Sequence, residues 1–168
     1  MALKRRPQNN TNASEDSLIA RVTVLETFVN IAYTNTGGQV IANNTATDLT
    51  SNWVVDFATH PTAFVNGIFT APVTGKYQIS GLTAYNPAGS PTAGAQWQLF
   101  ASKNAGAQVK VLGILSTQTS GSSGVMAPGG STDFQLNAGD TLKLAVFQNS
   151  NASQTTTTAT RIEIKKVG

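Results

Sequence analysis

The sequence predicts an all-β protein: an antiparallel sandwich or jelly roll, preceded by a short N-terminal helix. Three observations carry this. Apolar residues recur with period two from about residue 31 onward, turn-forming clusters separate the runs at short intervals, and there is no convincing second helix. The composition agrees. Hydrophobic residues make up 40% of the 168 residues and charged residues only 11%, so the polar surface rests on Thr, Ser, Asn, Gln and Gly.

Residues 1–13 are polar and rich in Asn and read as a flexible arm. Lys4-Arg5-Arg6 is its one charge cluster and the candidate anchor to a larger assembly. Residues 14–30 change character. Ser14, Asp16 or Ser17 can cap a helix start, and Glu15 and Asp16 suit the positive end of its dipole. Leu18, Val22, Leu25 and Val29 then follow at coiled-coil spacing. A helix this short is marginal alone in water, so it is expected to pair with copies of itself beside a larger domain.

Residues 31–168 hold the strands. Thr141-Leu142-Lys143-Leu144-Ala145-Val146 puts Leu142, Leu144 and Val146 on one face. Arg161-Ile162-Glu163-Ile164-Lys165 alternates throughout, and Tyr77 and Ile79 share a face. Residues 52–57, 63–66, 95–100 and 108–114 give further strands. Asn86-Pro87-Ala88-Gly89, Lys103-Asn104-Ala105-Gly106, Ala127-Pro128-Gly129-Gly130 and Asn137-Ala138-Gly139-Asp140 are turns between them, and 116–124 reads as a long loop. Trp53 and Trp97 sit in strand-like settings and are expected in the core.

The stretch Gly67-x-Phe69-x-Ala71-Pro72-x-x-Gly75-x-Tyr77 resembles the signature of C1q-like domains, a jelly-roll superfamily shared with tumour necrosis factor. Two further pieces follow in the order that family has them. Leu136-Asn137-Ala138-Gly139-Asp140-Thr141-Leu142-Lys143-Leu144 is similar to its late hairpin, and residues 160–167 to its last strand in microbial and viral members. The chain lacks the Phe-x-Gly-x-Leu ending usual in animal members, which points to the phage or bacterial type. The resemblance implies a C1q/TNF-like sandwich that forms a homotrimer, with 14–30 as its stalk. Pro72 sets φ for a turn, and Gly75 supplies a backbone that a side chain would oppose. Together they are expected to bring Phe69 and Tyr77 into one core with Ile79, Leu142, Leu144 and Val146.

Catalysis has little to stand on. The one histidine, His60, lies in a Thr-His-Pro turn, no nucleophile motif surrounds a serine, and the carboxylates are scattered. With no cysteine, thiolate metal sites are excluded; a Ca²⁺ site from Asp133 or Asp140 would lack the several carboxylates that strong sites gather. No cofactor is called for. No basic stripe with interleaved aromatics suggests nucleic acid, no apolar run could span a membrane, and MALKRRPQNN lacks the apolar stretch of a secretory signal. The resulting expectation is a trimeric phage virion protein, a fibre, spike or decoration protein, bound to capsid or tail proteins. Its domain would face outward to host or glycan, with Tyr85 as the candidate glycan contact. The alternative is a bacterial cell-surface or spore-coat adhesin.

Overall fold

The computed structural model describes residues 21, 27–86, 94–106, 108–116 and 128–168. The strands run β1 Asn30–Asn35, β2 Val40–Ile41, β3 Thr47–Asp48, β4 Trp53–Ala58, β5 Phe64–Val65, β6 Ile68–Thr70 and β7 Gly75–Leu82. They continue with β8 Tyr85–Asn86, β9 Gln96–Lys103, β10 Gln108–Ser116, β11 Gly129–Leu136, β12 Thr141–Gln148, β13 Gln154–Thr156 and β14 Arg161–Lys166.

A first sheet has the order β11-β7-β14-β1-β4. A second has the order β10-β9-β12-β6-β5, with β3 also paired to β12, and a small sheet β2-β13-β8 adds to them. Every pairing is antiparallel. The long strands alternate because each has one face in the core. Ile31, Tyr77, Ile79, Phe134, Ile162 and Ile164 are buried from the first sheet, and Phe69, Leu99, Leu142, Leu144 and Val146 from the second. These two sets form one apolar cluster. The architecture is the all-β jelly-roll sandwich the sequence predicts.

The Ala71–Thr74 segment has a different job from a simple hairpin. It leaves β6 in the second sheet and enters β7 in the first, so it carries the chain across the sandwich. Phe69 and Tyr77 therefore meet from opposite walls, ring centroids 5.5 Å apart. The Tyr77 hydroxyl donates to the Val73 carbonyl at 2.7 Å, which holds the crossing. Gly75 is not in the left-handed region; it is needed for space, because a Cβ there would lie 2.7 Å from the Gly168 carbonyl oxygen. The tight hairpin lies just upstream. Asn66 (φ 50°) and Gly67 (φ 73°) join β5 to β6 in two residues, the sequence a primed turn favours. A Cβ on Gly67 would sit 1.9 Å from the Leu49 carbonyl oxygen.

Asp140 pins the β11–β12 turn. Its carboxylate pairs with Lys103 at 2.8 Å and accepts from Asn104 Nδ2 and the Asn137 amide, each at 2.8 Å. Its carbonyl accepts from the Ala71 amide at 2.8 Å, tying this turn to the crossing segment. Beside the small sheet, buried Gln148, Ser150 and Gln154 satisfy one another: Ser150 Oγ donates to Gln148 Oε1 at 2.6 Å, and Gln154 Nε2 donates to Ser150 Oγ at 2.7 Å.

The N-terminal reading needs one correction. Thr27 is helical but Val29 is not, and β1 begins at Asn30. Val29 is fully buried in the sandwich core, its carbonyl accepting from the Lys166 amide at 2.8 Å. Its place in the 4-3-4 spacing is overridden by the sheet that starts one residue later. The stalk positions Leu18, Val22 and Leu25 and the arm with Lys4, Arg5 and Arg6 lie outside the described residues, as does the expected loop 116–124 except Ser116, which ends β10; Gly129 and Gly130, expected in a turn, begin β11.

Candidate interaction surfaces

Inward faces make the core, so function is sought on the outward ones. On the first sheet, register lines the outward residues up in rows across the strands. One row runs Phe57, Ala32, Glu163, Ser80, Ser131; the next runs Val54, Thr34, Arg161, Leu82, Gly129. Phe57 and Val54 are each about half exposed, at 51%. A register shift between Ala32 and Tyr33 makes room for Asp56 in β4, where its carboxylate accepts from Thr34 Oγ1 at 2.6 Å. The centre of this face is a depression of about 600 Å³ with Ala32, Asp56, Leu82, Arg161 and Glu163 in its lining.

Toward the opposite end the face becomes charged. Lys76 pairs with Asp133 at 2.8 Å and Lys165 with Glu163 at 2.7 Å. The face is thus mixed: Phe57 and Val54 are exposed on β4, Asp56, Arg161 and Glu163 surround the depression, and ion pairs lie at Lys76 and Lys165.

The other predicted residues fall into two groups. Phe69, Tyr77, Ile79, Leu142, Leu144 and Val146 are all buried together. Burial raises the Tyr77 phenol above its ordinary 10.0. Trp97 is fully buried; Trp53 is part-buried, stacked edge-on to Phe64 at 5.6 Å, with its indole N–H donating to the Leu49 carbonyl at 3.0 Å. Tyr85 is paired through its backbone to Thr156 on the short β8; its side chain lies outside what is described.

The carboxylates do not converge. Among the described residues no three His, Cys, Asp or Glu side chains gather as a metal site would need. Asp133 and Asp140 are each engaged by a lysine. Lys103 above all, with Asn104 and the Asn137 amide, holds the Asp140 carboxyl down to about 2 from 3.8. His60 Nδ1 lies 3.0 Å from Thr59 Oγ1, whose hydroxyl donates to the Asn30 carbonyl at 3.2 Å; this contact ties the start of β1 to the end of β4. Among the described residues no helix is long and apolar enough to cross a membrane.

The class of domain follows from the strand order. A β4-β1-β14-β7-β11 sheet facing a β5-β6-β12-β9-β10 sheet is a C1q/TNF-like jelly roll. Solved structures agree. Eiger TNF from S. frugiperda superposes with a TM-score of 0.56 at 15% identity, over 84% of this chain and 93% of that one. Murine APRIL at pH 8.0 gives 0.59 at 14% identity, over 84% of this chain and all of that one. The globular domain of zebrafish complement 1qA protein gives 0.53 at 14% identity, over 83% and 98%. The likeness is one of fold. No protein-family model and no curated protein sequence matches the chain.

Proposed function

We propose that the chain is a non-catalytic structural and adhesion module that works as a homotrimer, built around the outward face of the first sheet. The observation that carries this is that Phe57 and Val54 on β4 stay half exposed, each heading one of the two adjoining rows that cross the central depression. A large aromatic and a valine left at 51% exposure on the rim of a concave surface suit burial by another copy. The C1q/TNF-like fold supports the threefold arrangement. A cyclic heterologous contact, repeated three times, closes without leaving the patch open.

In this reading the trimer is an element of a phage virion. Arm residues Lys4, Arg5 and Arg6 attach it to capsid or tail proteins, and helix positions Leu18, Val22 and Leu25 form the stalk. The domain faces outward to host or glycan, with Tyr85 among its contacts. One feature supports this in preference to a bacterial surface: the absence of any collagen-like repeat in these 168 residues. Sedimentation of the chain tests the trimer, and Phe57→Lys should dissociate it with the β-sheet spectrum unchanged. Antibody labelling of purified virions tests the location; virions that carry none of this chain contradict it.

A further inference from the structure

The outward face of the second sheet is apolar for a different reason from the first. Leu99, Ala101, Leu142 and Leu144 turn into the core, so Phe100, Ala145 and Phe147 on the same two strands turn outward. Register aligns them with β10: Phe100 lies between Ala145 and Val111, Gln98 between Phe147 and Ile114, and Ser102 between Lys143 and Val109. Val109, Val111 and Ile114 are 57%, 50% and 58% exposed. With Phe100 and Phe147 they make roughly 300–500 Å² of contiguous apolar surface, the size at which a patch is commonly functional.

This face carries no uncompensated charge among the described residues. The ammonium of Lys110 on β10 is drawn to the other side of the strand, donating to the Asp133 carbonyl and lying 4.7 Å from the centre of the Phe134 ring. On the face itself Lys143 pairs with Asp48.

We propose that this face docks on the same face of a second copy, linking one trimer to a neighbouring one. A neutral apolar patch meets itself about a twofold axis with no like-charge penalty. An anionic partner, nucleic acid or acidic lipid, would find no free cation on this face among the described residues. Two such patches bury roughly 600–1,000 Å², below a permanent interface, so the contact is weak and concentration-dependent. A trimer presents three such faces, so pairing them builds a network. The trimer part rests on the function proposed above; the face-to-face contact does not.

The test is sedimentation velocity of the full chain over a wide concentration range, with Val111→Lys and Ile114→Lys as two independent variants on this face and Phe57→Lys on the first sheet. Wild type should grow from trimers to larger species on concentration. Either lysine on the second sheet should stop growth at the trimer, needing at least about tenfold more protein to go further. Phe57→Lys should lose the trimer yet still form dimers. If wild type is monomeric when dilute but pairs through Val111, the trimer falls and the docking face stands. A wild type that never exceeds the trimer, or growth indifferent to both second-sheet lysines, overturns the proposal.

Discussion

The two sheets are alike on their inner faces and unlike on their outer ones. Inside, each contributes aromatic and branched side chains at alternate positions to one closed core. Outside, the first sheet mixes exposed Phe57 and Val54 with the charges of Asp56, Arg161 and Glu163 and the ion pairs at Lys76 and Lys165. The second is apolar across β10, β9 and β12, with its charge paired or turned away. Inner faces obey the demand for a packed core, which any sandwich must meet. Outer faces are released from that demand, so they can differ where inner faces cannot.

Substitutions can break the comparison at four levels. The largest loss should come from the shared inside. Phe69→Ala removes a fully buried ring packed on Tyr77 and should cost about 3–5 kcal/mol in urea unfolding. Next is Gly67→Ala, which opposes a φ of 73° and places a Cβ against the Leu49 carbonyl oxygen; a loss above about 1–3 kcal/mol is expected. A cost smaller than that of an outward lysine would mean the hairpin does not need its turn.

Acid should separate the Asp140 turn from the rest. The Asp140 pKa is depressed from 3.8 to about 2 in the folded protein, so its contribution is present above about pH 4 and is lost as pH falls toward 2. In Asp140→Asn, that part of the acid sensitivity should vanish from unfolding curves; an unchanged acid limb would show that the ion pair with Lys103 is idle. The smallest effect belongs to the exposed pair of Lys76 and Asp133. Lys76→Ala should change stability by less than about 1 kcal/mol, and a larger change would mean that end of the first sheet is not the solvated rim.

Much of the inside was legible in the sequence. Leu142, Leu144 and Val146, or Ile162 and Ile164, announce their face because strict alternation has one physical cause, a half-buried strand. The crossing at Ala71–Thr74 was legible as a turn but not as a passage between sheets. That depends on the partners of β6 and β7, which lie far along the chain. Val29 kept a helical spacing with Leu18, Val22 and Leu25 while belonging to the core, because local periodicity does not register where the sheet begins.

The outward surfaces were the least legible. The run Trp53-Val54-Val55-Asp56-Phe57 has no clean alternation, since the register shift beside Tyr33 breaks its phase. In Val109-Lys110-Val111, alternation alone would turn the valines inward. The structure reverses this, because Lys110 on the edge strand covers Phe134 and leaves both valines outside. An edge position relaxes the usual rule, and only the strand order reveals which strand is the edge.

Sedimentation equilibrium of the dilute full chain bears most directly on the central claim, that the first sheet's outward face is an interface between copies. A mass of about 52 kDa, three times 17.5 kDa, falling to one chain in Phe57→Lys with its β-sheet spectrum intact, is the predicted result. A wild-type mass of one chain, or a trimer untouched by Phe57→Lys, would contradict it.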